Sequence, residues 1–315
     1  MTNLKTYNYL HMKSIFLKLT LVFFGVMVYA QQDPHYTQYM YNMNVINPAY
    51  AGSKENLSVG ILGRRQWEGL QGAPQTYTFN AHMPVGRKVG LGLSVIADQI
   101  GPVKEQNVNV DFSYTLDLGG EHKLAFGAKA GASIFNINLQ GVFVPDAGDP
   151  AFSENAVGAN LNVGAGLFYY TDNYYISFSV PNLLGAVHLV DKTNGRRFGT
   201  DANHYFLTGG YVFNLSENVK FKPFTMLKTT FKDPLSVDFS TNFLLYDKFE
   251  LGATYRLEDS FGAMFNVAVT PNVRIGYAYD HIVSNLRAFA PASHEVILLF
   301  DLNFPKKVSR SPRYF

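Results

Sequence analysis

The sequence predicts a transmembrane antiparallel β-barrel of about fourteen strands, with short periplasmic turns and longer extracellular loops. Three observations predict it: an export leader, a hydrophobic period of two running from Asn56 onward, and a polar strand face that carries few charges. Of the 315 residues, 47% are hydrophobic, 15% aromatic and 16% charged. An average soluble domain carries about 25% charged residues. The 20 Tyr and 26 Phe supply ample surface to bury, which excludes a disordered chain. The lack of Cys excludes a disulfide scaffold, a thiolate zinc site, a Cys nucleophile and a lipidated N-terminal Cys.

Residues 1–30 read as a signal peptide. Lys5, Lys13 and Lys18 form its basic start, Leu19 to Val28 its apolar core, and Val28-Tyr29-Ala30 its small-x-small cleavage site. Gln31 is then the expected mature N-terminus. The apolar run is too short for a spanning helix, which needs roughly twenty residues. Met12, followed by Lys13, offers a second and more compact start. Losing the three lysines brings the 26 Lys and Arg to within one of the 24 Asp and Glu. No global basic field remains to attract nucleic acid.

Residues 31–55 form an N-terminal segment, of which Gln32–Ser53 reads QDPHYTQYMYNMNVINPAYAGS. It is too polar for a membrane strand and too aromatic for a linker. It is therefore expected to be ordered, periplasmic or lining the lumen, with Tyr36, Tyr39, Tyr41 and Tyr50 packed on the first strands. Asn47-Pro48 favours an extended or turn geometry, and Gly52 offers a further turn.

Residues 56–304 are expected to build the barrel. In Asn107 to Leu118, Val108, Val110, Phe112, Tyr114, Leu116 and Leu118 share one face, and polar residues fill every position of the other. Thirteen further runs alternate in the same way: Leu57–Trp67, Thr76–Val85, Val89–Ala97, Leu124–Ile134, Asn160–Tyr170, Tyr174–Val180, His204–Leu215, Val219–Thr229, Leu235–Tyr246, Phe249–Leu257, Phe261–Thr270, Val273–Asp280 and Ser293–Phe304. Pro223 marks an expected irregularity in the ninth strand, because it donates no ladder hydrogen bond. Tight turns such as Gly86-Arg87 and Pro271-Asn272 follow the even strands. Several odd strands are followed by longer connections, at Glu68–Gln75, Asp98–Gln106, Leu139–Val157, Pro181–Asn203 and His281–Pro291. That asymmetry is typical of outer-membrane barrels and, with an even strand count, predicts both termini on the periplasmic side. Tyr169, Tyr170, Tyr174, Tyr211, Tyr255, Tyr277 and Tyr279 suit interfacial girdles. A secreted soluble all-β protein is the competing architecture, but its wet face would be dominated by Lys and Glu.

The polar face carries charges of both signs: Arg64, Asp111, Asp117, Lys129, Asp238, Arg256, Arg274, Glu295 and Asp301. A mutually paired set would close the lumen, whereas one sign would line a selective pore. Gly90-x-Gly92 and Gly164-x-Gly166 lie within strands with no helix following, so they leave room for packed lumen side chains rather than cradling phosphate. No spacing selects catalytic, cofactor or metal-binding residues. Residues 305–315 form a basic tail that places Lys306, Lys307, Arg310 and Arg313 beside the apolar anchors Tyr314 and Phe315.

Five motifs in order, QDPxYTQYM, NPAYAGS, RRQW, GAPQT and the closing SPRYF, resemble the PorP/SprF family of type IX secretion outer-membrane proteins of Bacteroidota. The resemblance spans the chain from the cleavage site to Phe315. It implies a non-enzymatic outer-membrane barrel that helps secrete, or anchor at the surface, particular cargo such as large adhesins, and in some members serves gliding motility. It also implies contact with the periplasmic lipoprotein ring of the secretion machine. The motif positions carried onto this sequence are Asn47, Pro48, Tyr50, Gly52, Arg64, Gln66, Trp67, Pro74 and Thr76, with Arg313 and Phe315 in the tail. Their expected role is to brace the N-terminal segment against the wall or to touch a partner. A porin or hydrophobic-solute transporter is the competing function.

Overall fold

The computed structural model describes residues 35–140, 154–185, 187–190, 197–200, 202–231 and 233–302. The leader 1–30 and the tail 305–315 lie outside them. In chain order the strands are β1 (Leu57–Arg65), β2 (Gln75–Pro84), β3 (Val89–Ile100), β4 (Val103–Gly119), β5 (His122–Ile137), β6 (Ala156–Tyr170), β7 (Tyr174–Val180), β8 (Val187–Val190) and β9 (Arg197–Thr200). They continue with β10 (Tyr205–Tyr211), β11 (Phe213–Ser216), β12 (Val219–Thr229), β13 (Ser236–Leu245), β14 (Phe249–Arg256), β15 (Ser260–Thr270), β16 (Val273–Ile282) and β17 (Ala292–Leu302).

Each barrel strand pairs antiparallel with its neighbours, and β1 pairs with β17 from Leu57↔Leu302 to Arg65↔His294, which closes the wall. β10 and β11 are two pieces of one strand, so the closed barrel has fourteen. The division has a cause. β12 pairs Phe224 with Gly210 and Phe221 with Phe213 in one register. Pairing lapses at Tyr211 and Val212, opposite Pro223, which has no N–H to give. On its other side Pro223 stays in register with Thr241.

The alternating pattern sorts side chains as read. Val108, Val110, Phe112 and Tyr114 face outward and exposed, while Asn109, Asp111 and Ser113 are buried inside. An outward aromatic row runs around the short-turn end from Tyr169 through Tyr174, Tyr211, Phe213 and Phe221 to Phe243, with ring centroids 4.3–6.0 Å apart. Tyr255, Tyr277 and Tyr279 lie outward near the opposite rim, where Tyr255 stacks on Phe261 and Tyr277 and Tyr279 flank His294. Tyr170 departs from the expected girdle. As Tyr169's neighbour it takes the opposite face, where it is buried against Phe168.

Three other expectations need correction. Asp98–Gln106 is no loop: β3 and β4 run on to Ile100 and Val103, joined by a turn at Gly101 (φ +54°) and Pro102. Beyond the lipid belt both faces of a hairpin are polar, so alternation fades there although pairing continues. The Pro181–Asn203 connection carries the β8–β9 hairpin. Asp117 sits exposed at a strand end, where its carboxylate caps the Gly119 N–H, and not in the lumen.

Candidate functional site

The lumen is occupied by the chain's own N-terminal segment. From His35 it descends as two 3₁₀ turns, Tyr39–Tyr41 and Pro48–Tyr50, around one short helical turn at Met43–Ile46. Asn, Gln and Tyr punctuate this stretch too often for a long helix, and Pro48 opens its second 3₁₀ turn at a position where its missing N–H costs nothing. Tyr36, Tyr39, Met40, Met43, Ile46, Ala49 and Tyr50 are all buried, and with wall residues such as Leu62, Phe168, Met264 and Ile297 they form the hydrophobic core. The barrel therefore has a solid centre rather than a pore.

Three polar anchors hold the segment. The first lies near the long-loop end, where β1, β16 and β17 are adjacent and Arg64 stands across from Glu295 in the register. One terminal nitrogen of Arg64 donates to Thr37 Oγ1 at 2.8 Å and to Glu295 Oε2 at 3.1 Å, and the other donates to Asp280 Oδ2 at 2.8 Å. Glu295 also accepts the backbone N–H of Thr37 at 2.9 Å and of Gln38 at 2.8 Å. Thr37 Oγ1 donates to Asp280 at 2.6 Å. Every member of this clamp is buried. Charge-assisted bonds in so dry a setting are the strong kind.

Nearer the short-turn end, the Tyr41 hydroxyl bonds to Glu250. Glu250 is further held by Lys222 at 3.1 Å, Asn242 at 2.7 Å and Arg274 at 3.4 Å. Lys222 also sits 5.1 Å above the Tyr41 ring, a cation–π geometry. Across the lumen, Asn44 donates to Asp111 at 3.2 Å, and Asp111 is paired with Lys129 at 2.7 Å.

The third anchor is the NPAYAG turn. Asn47 Nδ2 donates to Ser177 Oγ at 2.7 Å and to the Leu167 carbonyl at 2.9 Å, while its Oδ1 accepts from Ala49 N at 2.8 Å. Tyr50 meets His82 and Phe168 edge-on, at 5.1 and 5.2 Å. Gly52 (φ +74°) donates to His82 Nδ1 at 3.2 Å. The turn fits because the wall facing it is glycine. A Cβ on Gly90 would lie 2.0 Å from the Ala51 carbonyl, on Gly127 2.1 Å from Ala49 N, and on Gly166 1.9 Å from Asn47 Oδ1. At Gly90 and Gly127 backbone approaches backbone, and at Gly166 the Asn47 amide fills the space of a side chain, so a Cβ at any of the three would collide.

The motif residues thus separate into two groups. Asn47, Pro48, Tyr50, Gly52 and Arg64 meet in the lumen. Gln66, Trp67 and Pro74 lie in the β1–β2 connection, where Gln66 N–H bonds to the Pro74 carbonyl at 3.0 Å and Trp67 N–H bonds to Ser293 Oγ at 3.1 Å. Trp67 adopts φ +56°. Thr76 faces inward and bonds to Asp98. Arg313 and Phe315 lie outside the described residues. Sequence reasoning missed Thr37, Asp280, Glu250 and Lys222 as anchors. Their signal was faint: Thr37 lies in a segment without a period, and Asp280, Glu250 and Lys222 are polar residues at inward positions of strands whose neighbours only barrel closure reveals. Of the Gly-x-Gly pairs, Gly92 and Gly166 make room for the side chains of Asn44 and Asn47, as read, whereas Gly90 admits the Ala51 carbonyl and Gly164 the backbone of Pro181.

Most wall charges are mutually paired. Arg256 adds a two-pronged bond to Asp238, 2.9 Å on each arm, and Lys54 meets Asp301 at 3.5 Å. Leu57 and Leu302 leave the barrel at the short-turn end, but the described N-terminal segment begins at the opposite end, beside Glu295.

The family model for the type IX secretion system membrane protein PorP/SprF matches residues 28–300. A search of curated proteins returned no match. Among solved structures, the CymD monoaromatic hydrocarbon channel aligns at TM-score 0.54 and 12% identity, over 83% of this chain and 92% of that one. The P. putida toluene transporter TodX aligns at 0.47 and 9% identity, over 84% and 95%. The Acinetobacter baumannii outer membrane protein Omp33 aligns at 0.44 and 11% identity, over 79% and 99%. At 12% identity the likeness to CymD is one of fold.

Proposed function

We propose, since the chain belongs to the PorP/SprF family of type IX secretion system membrane proteins, that it is a closed, non-enzymatic barrel adaptor that assists the secretion or surface anchoring of specific cargo such as adhesins. The observation that carries this reading is the filled lumen. A conduit needs a continuous aqueous path, whereas here a clamp of Arg64, Asp280 and Glu295 fixes the N-terminal segment across it. In this reading the short turns are periplasmic. The tail with Arg313 and Phe315 leaves from that side and docks on the periplasmic lipoprotein ring, with arginines as bidentate partners and the aromatic end as anchor. Cargo then meets the long-loop face, and a role in gliding follows in cells whose cargo is a motility adhesin. Purified protein in planar bilayers tests the central point. Electrical silence supports an adaptor, and a steady large conductance would favour the porin or hydrophobic-solute transporter instead.

A further inference from the structure

The barrel wall is uneven between β6 and β10. β6 pairs with β5 along its whole length, from Ala156↔Ile137 to Tyr170↔Lys123, but with β7 only over Ala165–Tyr170. After Val180 the chain leaves β6 and turns into the lumen, where Asn162 Nδ2 holds the Pro181 carbonyl at 3.1 Å and Pro181 packs on Gly164. Among the described residues, the edge of β6 above this point receives a single hydrogen bond, from Leu183 N–H to the Val163 carbonyl at 2.7 Å. β8 lies beside β6, but its ladder is with β9.

This edge continues the outward apolar face of β6. Its outward residues are apolar throughout: Val157, Ala159, Leu161 and Val163, with Val157 70% and Leu161 77% exposed. The inward residues are Gly158, Asn160 and Asn162, and Asn160 Nδ2 is buried with no partner among the described residues. Backbone N–H and C=O groups that face hydrocarbon without partners are not tolerated. A second copy of this chain suits the edge poorly. In a shared membrane its β6 would run in the same direction and lean the other way, crossing at about twice the strand tilt of 35–45°.

We propose that the Ala156–Gly164 edge of β6 is a strand-acceptor site that takes an extended segment of a partner polypeptide, antiparallel to β6, with apolar side chains alternating outward and small polar ones inward. The added strand would lie along β6 above Val180, where β8 is a neighbour without a ladder to β6, and its main chain would pair with the β6 groups that have no partner among the described residues. The site does not depend on the partner being secretion cargo.

The test uses the chemistry of the edge. Val163 turns its carbonyl to the free side, and by the two-residue period so do Leu161, Ala159 and Val157. Ala159→Pro therefore removes a free-edge donor and leaves the β5 ladder intact. Because the chain has no Cys, Leu161→Cys carries a benzophenone probe at one place, and Phe126→Cys on the lipid face of β5 is the control. In intact cells, position 161 should form a discrete adduct whose crosslinked peptide is extended and alternates apolar with polar residues. That adduct should fall at least tenfold in the Ala159→Pro background. Ala159→Lys, an edge charge that opposes pairing, serves should the proline variant lose its heat-modifiable band. No adduct above the Phe126 control, an adduct of two copies of this chain, or an adduct indifferent to both edge variants would overturn the proposal. A mapped partner foreign to secretion would sink the adaptor reading and leave the acceptor site standing.

Discussion

Replacing Arg64 with alanine should release the upper end of the plug. In the folded protein Arg64 neutralises Asp280 and Glu295 at 2.8 and 3.1 Å and steadies Thr37 at 2.8 Å, all out of contact with water. The variant leaves two carboxylates buried side by side with no cation between them. Removing one partner of a buried pair typically costs about 3–5 kcal/mol. The barrel ladder is untouched, because Arg64 bonds through its side chain, so the loss falls on the seating of residues 35–41. At about 1.4 kcal/mol per tenfold, a loss of about 4 kcal/mol raises the unseated population by roughly a thousandfold. When reseating is faster than cleavage, proteolysis follows that population. Limited digestion of the detergent-purified protein should therefore cut near Tyr41 orders of magnitude faster, while heat-modifiability persists. Arg64→Lys should fall in between, since an ammonium cannot span both carboxylates as the guanidinium fork does. Unchanged digestion of Arg64→Ala would refute the clamp as the holding contact.

Val110→Arg should destabilise the barrel by about 2–4 kcal/mol if the outward Val110 sits near the midplane, read as a lowered urea midpoint in lipid. A soluble fraction for the wild-type protein would sink the membrane reading altogether. Gly127→Ala places a Cβ 2.1 Å from Ala49 N, so it should expose the NPAYAG turn to protease. Gly209→Ala, whose Cβ would meet only the Tyr175 carbonyl at 3.5 Å, should digest like the wild type. Equal digestion of the two would show that the glycine slot does not seat the plug. Deleting Ser309–Phe315 should leave the barrel inserted yet abolish cargo secretion. Normal secretion would refute a docking tail, and failed insertion would assign the tail to assembly.

Much of this was legible in the chain because β-strands encode their two faces locally. Val108 to Tyr114 needed no partner to declare which side meets lipid. The paired charges were visible as a set, and Arg64 was readable as a brace for the N-terminal segment. The plug's path was not. QDPHYTQYMYNMNVINPAYAGS carries no period, so its shape comes from the cavity it enters. Asn47 has the chemistry for a turn, but only the wall decides that it meets Ser177.

The sequence by itself determined the architecture: alternation set the strands and their faces, and Gly and Pro set most of the turns. Tertiary structure alone decided that β1 meets β17, and with that closure that Arg64, from one end of the chain, lies beside Asp280 and Glu295, from the other. It also decided that Gly90, Gly127 and Gly166 face one occupied slot, and that the chain turns inward at Pro181, so that among the described residues β6 has no ladder partner on that side above Ala165. The physical reason is range. Alternation and turn chemistry act over two to four residues, whereas a buried charge chooses its partner across a lumen assembled from the whole chain.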